Sequence, residues 1–286
     1  MGLALIAFAF CAVYLGPVLW AIVILLFSVL AYQEFKALCN NLGVFPQDLW
    51  IYFFITVFIL VPLLIGHAHD TGIVYSFLLT TVIAAYVIIF PRILLKKDYT
   101  RFEDLTASLW AVFQFGLLPS FFTWIRMMDH GCEYTLLMIL VISANDVGSL
   151  LFGRLFGKTP LAPRISPNKT VTGSLGGLFS AVLAFCGLTS LWGFELSSVF
   201  SDSCIAPYYQ ALDSFTNAKL VVLIALGLLF AIVAQVGDLM VSALKRVAGV
   251  KDSGTLLLSH GGILDRIDSH FFAVWFAYFI FAYLLA

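Results

Sequence analysis

Long apolar runs, broken by short polar clusters, fill most of the chain. A membrane-spanning helix needs about 20 mainly apolar residues, because the hydrocarbon layer is roughly 30 Å thick and each helical residue rises about 1.5 Å. By that measure residues 2–32 are too many for one helix. The run breaks at Gly16-Pro17, which predicts a short helix, a turn and a second helix reaching Tyr32. Further spans are predicted at 49–66, 72–90, 108–125, 134–152, 173–192, 220–242 and 271–286. The total is nine, or eight if the amino-terminal hairpin is a single tilted or re-entrant element. The fold class expected is all-α, a polytopic integral membrane protein.

Composition agrees with the pattern: of 286 residues, 62% are hydrophobic and 11% charged, with a mean hydropathy of +1.03, far from the soluble range. The net charge of −1 and the scatter of the basic residues exclude a nucleic-acid-binding surface. Charge distribution says more than the total. Counted over alternate loops, Lys36, the group Arg92, Lys96, Lys97 and Arg101, the group Arg154, Lys158, Arg164 and Lys169, and the group Lys245, Arg246, Lys251 and Arg266 fall on one side, against Arg126 and Lys219 on the other. Positively charged loops stay in the cytoplasm, so the loop 153–173 and the polar run 245–269 are predicted to be cytoplasmic. In the loop, Pro160, Pro163 and Pro167 forbid a continuous helix. The five cysteines lack metal-site or redox spacing, and no cleavable leader is evident after Met1. His67 and His69, on the opposite side with Asp70, read as a solvated turn. Without repeats or low-complexity linkers, residues 1–286 are expected to form one membrane domain. Its first part, 1–144, consists mainly of hydrophobic helices, and 145–286 carries the chemistry.

That chemistry starts with acids where lipid should have excluded them. Asp146, beside Asn145, and Asp238 interrupt apolar spans, and a carboxylate in the hydrocarbon is a functional candidate by default. Each could also serve as an interhelical hydrogen-bonding or ion-pairing residue, or as an ion site in a transporter. Gln235, Asp238, Ser242 and Lys245 recur at helical steps of three or four and form one stripe. Beyond it, Lys245, Arg246, Lys251 and Arg266 can neutralise phosphate oxygens. Gly261 and Gly262 allow close backbone approach. Asp265 and Asp268, three apart, share a helix face, and their hard oxygens suit Mg²⁺, which shares its shell with substrate phosphates. The competing reading is a solvated, salt-bridged loop; what favours a site is the conjunction of His260, paired glycines and paired acids with a buried acid on the preceding helix.

The segment SALKRVAGVKDSGTLLLSHGGILDRIDS, 242–269, resembles the signature of the phosphatidate cytidylyltransferases, or CDP-diacylglycerol synthases. The positions that carry the likeness are Ser242, Lys245, Arg246, Lys251, Asp252, His260, Gly261, Gly262, Asp265, Arg266 and Asp268. Upstream, NDVG with Asp146 and the loop containing Arg164, Ser166, Pro167, Lys169 and Thr170 are similar as well. The chain departs from the pattern at Val147, Leu258, Ser259 and Val241, the last standing where many bacterial members carry a Glu.

The resemblance implies an enzyme of phospholipid biosynthesis that converts CTP and phosphatidic acid to CDP-diacylglycerol and pyrophosphate, in a homodimer, in the bacterial inner membrane with the site facing the cytoplasm. Mg²⁺, with a second cation as an option, would be held by Asp238 and Asp265, and by Asp268. Lys245, Arg246, Lys251 and Arg266 would neutralise phosphate charge, and Arg164, Ser166 and Lys169 would meet lipid phosphate or nucleotide. His260 could be a general acid, a hydrogen-bond donor or a structural residue. The alternatives are a CTP-dependent lipid kinase of the polyprenol or phytol type and an ion-coupled transporter. A CDP-alcohol phosphotransferase is disfavoured because DxxDGxxAR is absent.

Overall fold

Pro17 opens the first long helix, where its missing N–H is no loss, and the helix, α1, runs Pro17–Asn41. It continues nine residues past the expected end at Tyr32 because Glu34, Phe35, Leu38 and Cys39 are buried against protein. The computed structural model describes residues 11–65, 71–95, 102–192, 216–254 and 261–282. The short helix expected before Gly16 falls largely outside them, as do His67, His69 and His260.

Helices α2 (Asp48–Ile65) and α3 (Thr71–Leu95) follow, then α4 (Phe102–Val112) and α5 (Leu118–Arg126), joined by a π turn at Phe113–Leu117. Pro119 has no N–H to give the preceding turn, and the widened π turn just before it absorbs that loss. Next come α6 (Gly131–Phe156), an antiparallel pair of short strands, β1 (Pro160–Ala162) and β2 (Ser166–Thr170), and then α7 (Val171–Leu191), α8 (Thr216–Val247) and α9 (Leu264–Ile280). Among the described residues, six stretches are long and apolar enough to cross a membrane: Pro17–Asn41, Asp48–Ile65, Phe102–Arg126, Gly131–Phe156, Val171–Leu191 and Leu220–Val247. Val74–Ile89 is a shorter apolar helix. The protein is thus an all-α polytopic membrane protein, and the strand pair is the one departure from helix among its described elements. Several helices outrun their apolar stretches. At 32 residues α8 is about 48 Å long, and Lys245 and Arg246 complement the carbonyls of its last turn.

The chain divides into two compact units, Met1–Met128 with Leu244–Phe271, and Asp129–Ala243 with Phe272–Ala286. In the first, Asp48 on α2 accepts from Tyr32 Oη (2.6 Å) and Lys36 Nζ (2.5 Å) of α1. Asp104 of α4 accepts from the Phe45 N–H at 2.7 Å, and Ser108 from the Gln47 N–H at 3.0 Å, which secures the α1–α2 turn. The second unit is organised around the α6–α7 pair. A Cβ on Gly148 would strike Ser180, one on Gly176 would strike Phe152, and one on Gly177 would strike Ser149. Lipid supplies no hydrophobic drive for helix pairing, so small residues that let backbones close together do this work.

Candidate functional site

Two polar assemblies emerge, one within each unit. In the second unit a cavity of about 560 Å³ opens beside the α6–α7 pair, with Asp146, Arg154, Lys169, Gln235 and Asp238 among its lining. Its floor is a network of neutral groups. Asn145, 2% exposed, accepts from Gln235 Nε2 at 2.8 Å. The same Nε2 donates to the Ser174 carbonyl at 3.1 Å, and Gln235 Oε1 accepts from Ser174 Oγ at 2.5 Å. Both ends of the Gln235 amide are therefore fixed. Asn145 Nδ2 donates to Asp146 Oδ1 at 3.1 Å, so the network also orients that carboxylate.

Lys169 reaches the cavity because the β1–β2 pair folds the proline-rich loop back along α7, with Pro160 opposite Thr170. Thr170 then caps α7 by accepting from the Gly173 N–H at 3.1 Å. The Lys169 ammonium forms an ion pair with Asp238 Oδ2, and Ser242 lies one turn further along α8. Arg164 and Ser166 do not line this cavity: Arg164 is exposed in the turn between the strands, and Ser166 begins β2. Arg154 does line it, although in the sequence it counts only as one more loop cation. Val241, one of the departures from the family pattern, is fully buried, so that position belongs to the core here.

In the first unit Asp265 is the centre. Its Oδ1 accepts from Lys245 Nζ at 2.6 Å, and its Oδ2 from the N–H groups of Ser253 (3.0 Å) and Gly262 (3.2 Å). Burial pushes this carboxyl upward, but the Lys245 ammonium and the two N–H groups outweigh it and hold the group below the ordinary carboxylate range. Gly261 takes φ +79°, a left-handed conformation that other residues rarely adopt. Arg246 donates to the Val250 carbonyl at 3.3 Å, and Lys251 and Arg266 are exposed. Asp268 is 5% exposed and accepts from the Ser269 N–H at 2.7 Å.

A second carboxylate in this unit had given no signal in the sequence. Glu34 of α1, 4% exposed, accepts from Ser253 Oγ at 2.8 Å and from the N–H groups of Ile263 and Leu264, both at 2.9 Å. Only its burial could have revealed it, since an acid near the end of a predicted span reads as interfacial.

Among the described residues no three His, Cys, Asp or Glu side chains gather into a self-sufficient metal cage. Asp238 belongs to one unit, and Asp265 and Asp268 to the other. Within the second unit Asp146 and Asp238 line the same cavity. Two hard carboxylates on an open cavity fit Mg²⁺, which commonly takes one or two and completes its shell with water and phosphate oxygens.

Fold and site together define a polytopic helical membrane protein that keeps acids, amides and cations in fixed polar assemblies. The chain belongs to the cytidylyltransferase family, whose family model it matches over residues 1–284. It is 35% identical over 196 residues to the phosphatidate cytidylyltransferase of Staphylococcus aureus (strain COL), an alignment covering 68% of this chain and 66% of that protein. To the phosphatidate cytidylyltransferase of Bacillus subtilis (strain 168) it is 34% identical over 200 residues, covering 70% and 66%. The match thus spans just under two thirds of the length of these relatives.

Proposed function

We propose that the protein transfers the cytidylyl group of CTP to phosphatidate, forming CDP-diacylglycerol and releasing pyrophosphate. The observation that carries this reading is the Lys169–Asp238 pair in a cavity that also holds Asp146 and Arg154; the names of the relatives supply the substrates. In the reaction a phosphatidate oxygen forms the new bond to the α-phosphorus while the bond from that phosphorus to the bridging oxygen of pyrophosphate breaks. The attacking oxygen is already anionic at neutral pH, so no general base is needed. The barrier is the approach of one polyanion to another.

The residues suit that problem. Lys169 neutralises Asp238 and, on its short strand, can turn to a phosphate that enters the cavity, while Arg154 offers a bidentate fork at the rim. The Asn145–Gln235–Ser174 network keeps Asp146 oriented without adding charge. The family resemblance implies metal ligation by Asp265 and Asp268 of the first unit; within the cavity of the second unit, Asp146 and Asp238 would hold Mg²⁺. Bound there, the ion would offset the charge of the triphosphate and of departing pyrophosphate. In the first unit, Lys245, Arg246, Lys251 and Arg266 are the cations that the family resemblance assigns to phosphate. The reading includes a cytoplasmic site in a bacterial plasma membrane, supported by the loop distribution of Lys and Arg, and a homodimer, which rests on the family resemblance.

The test uses the full chain in phosphatidate-containing vesicles, with CTP labelled at the α or the γ phosphate. Label from the α position should enter lipid with equimolar pyrophosphate release. Lipid labelled from the γ position alone would mean a kinase and would overturn the proposal. Ion flux without pyrophosphate release would mean a transporter and would overturn it equally.

A further inference from the structure

A carboxylate as deeply buried as Glu34 needs a reason, because burying a charge is costly unless hydrogen bonds or a counter-ion offset it. Among the described residues no cation pairs with Glu34. Among the described residues its compensation comes from Ser253 Oγ and the first N–H groups of the α9 turn, donors of a kind that a helix start leaves without internal partners. A link made only to hold α1 against the loop could be apolar at lower cost. What the carboxylate adds is direction.

That direction bears on Asp265. Ser253 is held between two carboxylates, its N–H on Asp265 and its Oγ on Glu34. Along 262–264 the consecutive N–H groups divide between the same two acids, Gly262 to Asp265 and Ile263 and Leu264 to Glu34. Neither segment can rotate away from Asp265 without also breaking bonds to Glu34. The fit is close: a Cβ on Gly254 would come within 2.6 Å of Glu34 Oε1, and one on Gly262 would strike both Ser253 Oγ and Glu34 Oε2. The second glycine of the pair is therefore required by Glu34 itself.

We propose that Glu34 is a positioning residue: through Ser253 and the 262–264 turn it fixes the backbone donors that orient Asp265 for reaction. The catalytic half of this inference rests on the function proposed above; the positional half does not. Gln is nearly isosteric but offers one acceptor oxygen where Glu34 uses two, so Glu34→Gln sets an NH₂ against a backbone N–H.

The experiment compares wild type, Glu34→Gln, Glu34→Asp and Ser253→Ala as full chains in lipid nanodiscs, by hydrogen exchange and by turnover with α-labelled CTP. In Glu34→Gln, amide exchange in peptides covering 249–265 should rise about tenfold while that of α6 and α7 stays unchanged. Its kcat should fall about 10²-fold, as expected when a reacting group is misplaced by about an ångström, with the KM for CTP held within about threefold. Glu34→Asp should recover part of the turnover, and Ser253→Ala should show a smaller change in both readouts. Unchanged local exchange, or turnover per folded molecule within about twofold of wild type, overturns the inference. If Glu34→Gln does not fold, Ser253→Ala decides by the same two readouts, because a purely structural link predicts normal turnover once it is folded. If wild type itself transfers no α label, the proposed function and the catalytic half fail together, and exchange alone then decides whether Glu34 holds the loop.

Discussion

The Lys245 ammonium lies 2.6 Å from Asp265 Oδ1, with the two side chains only 14% and 13% exposed. They stand 20 residues apart in sequence, on the last turn of α8 and the first turn of α9. Each is at the helix end whose dipole suits its charge, so the pair closes the loop between the two helices electrostatically.

Removing one partner strands the other in a poorly hydrated place. Asp265→Asn, or Lys245→Met alone, should destabilise the protein by about 3–5 kcal/mol, the range for breaking a largely buried pair. The double substitution should cost clearly less than the sum. Denaturant unfolding in detergent micelles across the four-member cycle measures the coupling; additive losses would show that the contact contributes nothing of its own.

Acidification tests the same carboxyl. Its value in the folded protein lies below the ordinary 3.8, so its contribution to stability is fully present above that ordinary value and is lost as pH falls through the folded one. The stability gap between wild type and Asp265→Asn should therefore stay flat from neutrality down to about pH 4 and narrow only below it. A gap that closes between pH 7 and pH 5 would contradict the lowered value.

The cavity of the second unit should respond to charge rather than to bulk. Asp238→Asn leaves Lys169 unpaired and removes one of two cavity carboxylates, and α-label transfer should fall by about 10²-fold or more. Lys169→Met should show a similar loss, which Lys169→Arg restores in part. Chelation of Mg²⁺ should stop transfer in wild type, and added Mg²⁺ should restore it. Full activity in Asp238→Asn would remove that residue from the machinery.

Hydropathy made the spans legible because each apolar run must be buried in lipid or protein, and the helices between Asp48 and Val247 fall on the runs that predict them. Their ends were less legible. The helix α1 passes Tyr32, and α9 starts at Leu264 rather than 271, because buried polar residues extend both beyond the apolar stretch. The prolines of 160–167 were legible as helix breakers, but not as members of a strand pair that delivers Lys169 to Asp238. Asp146, Asp238 and Asp265 stood out as acids in oily or motif-rich surroundings. Glu34 did not, since its partner Ser253 lies 219 residues away and no local pattern marks a pairing that only tertiary packing creates.

The α6–α7 pair links packing to the cavity and gives the last prediction. A Cβ on Gly177 would strike Ser149 Oγ and would lie 2.8 Å from both the carbonyl and Oδ1 oxygens of Asn145. That Oδ1 is the acceptor for Gln235, so a methyl group there must displace either the helix or the amide network. Gly177→Ala should cost about 1–3 kcal/mol, the range for overpacking, and should lower α-label transfer even though residue 177 does not line the cavity. Gly187→Ala, on the same helix with nothing within 4 Å of the added atom, should leave stability and transfer unchanged. Unfolding and transfer assays on both variants check the claim; equal behaviour of the two would show that close helix packing does not support the polar network.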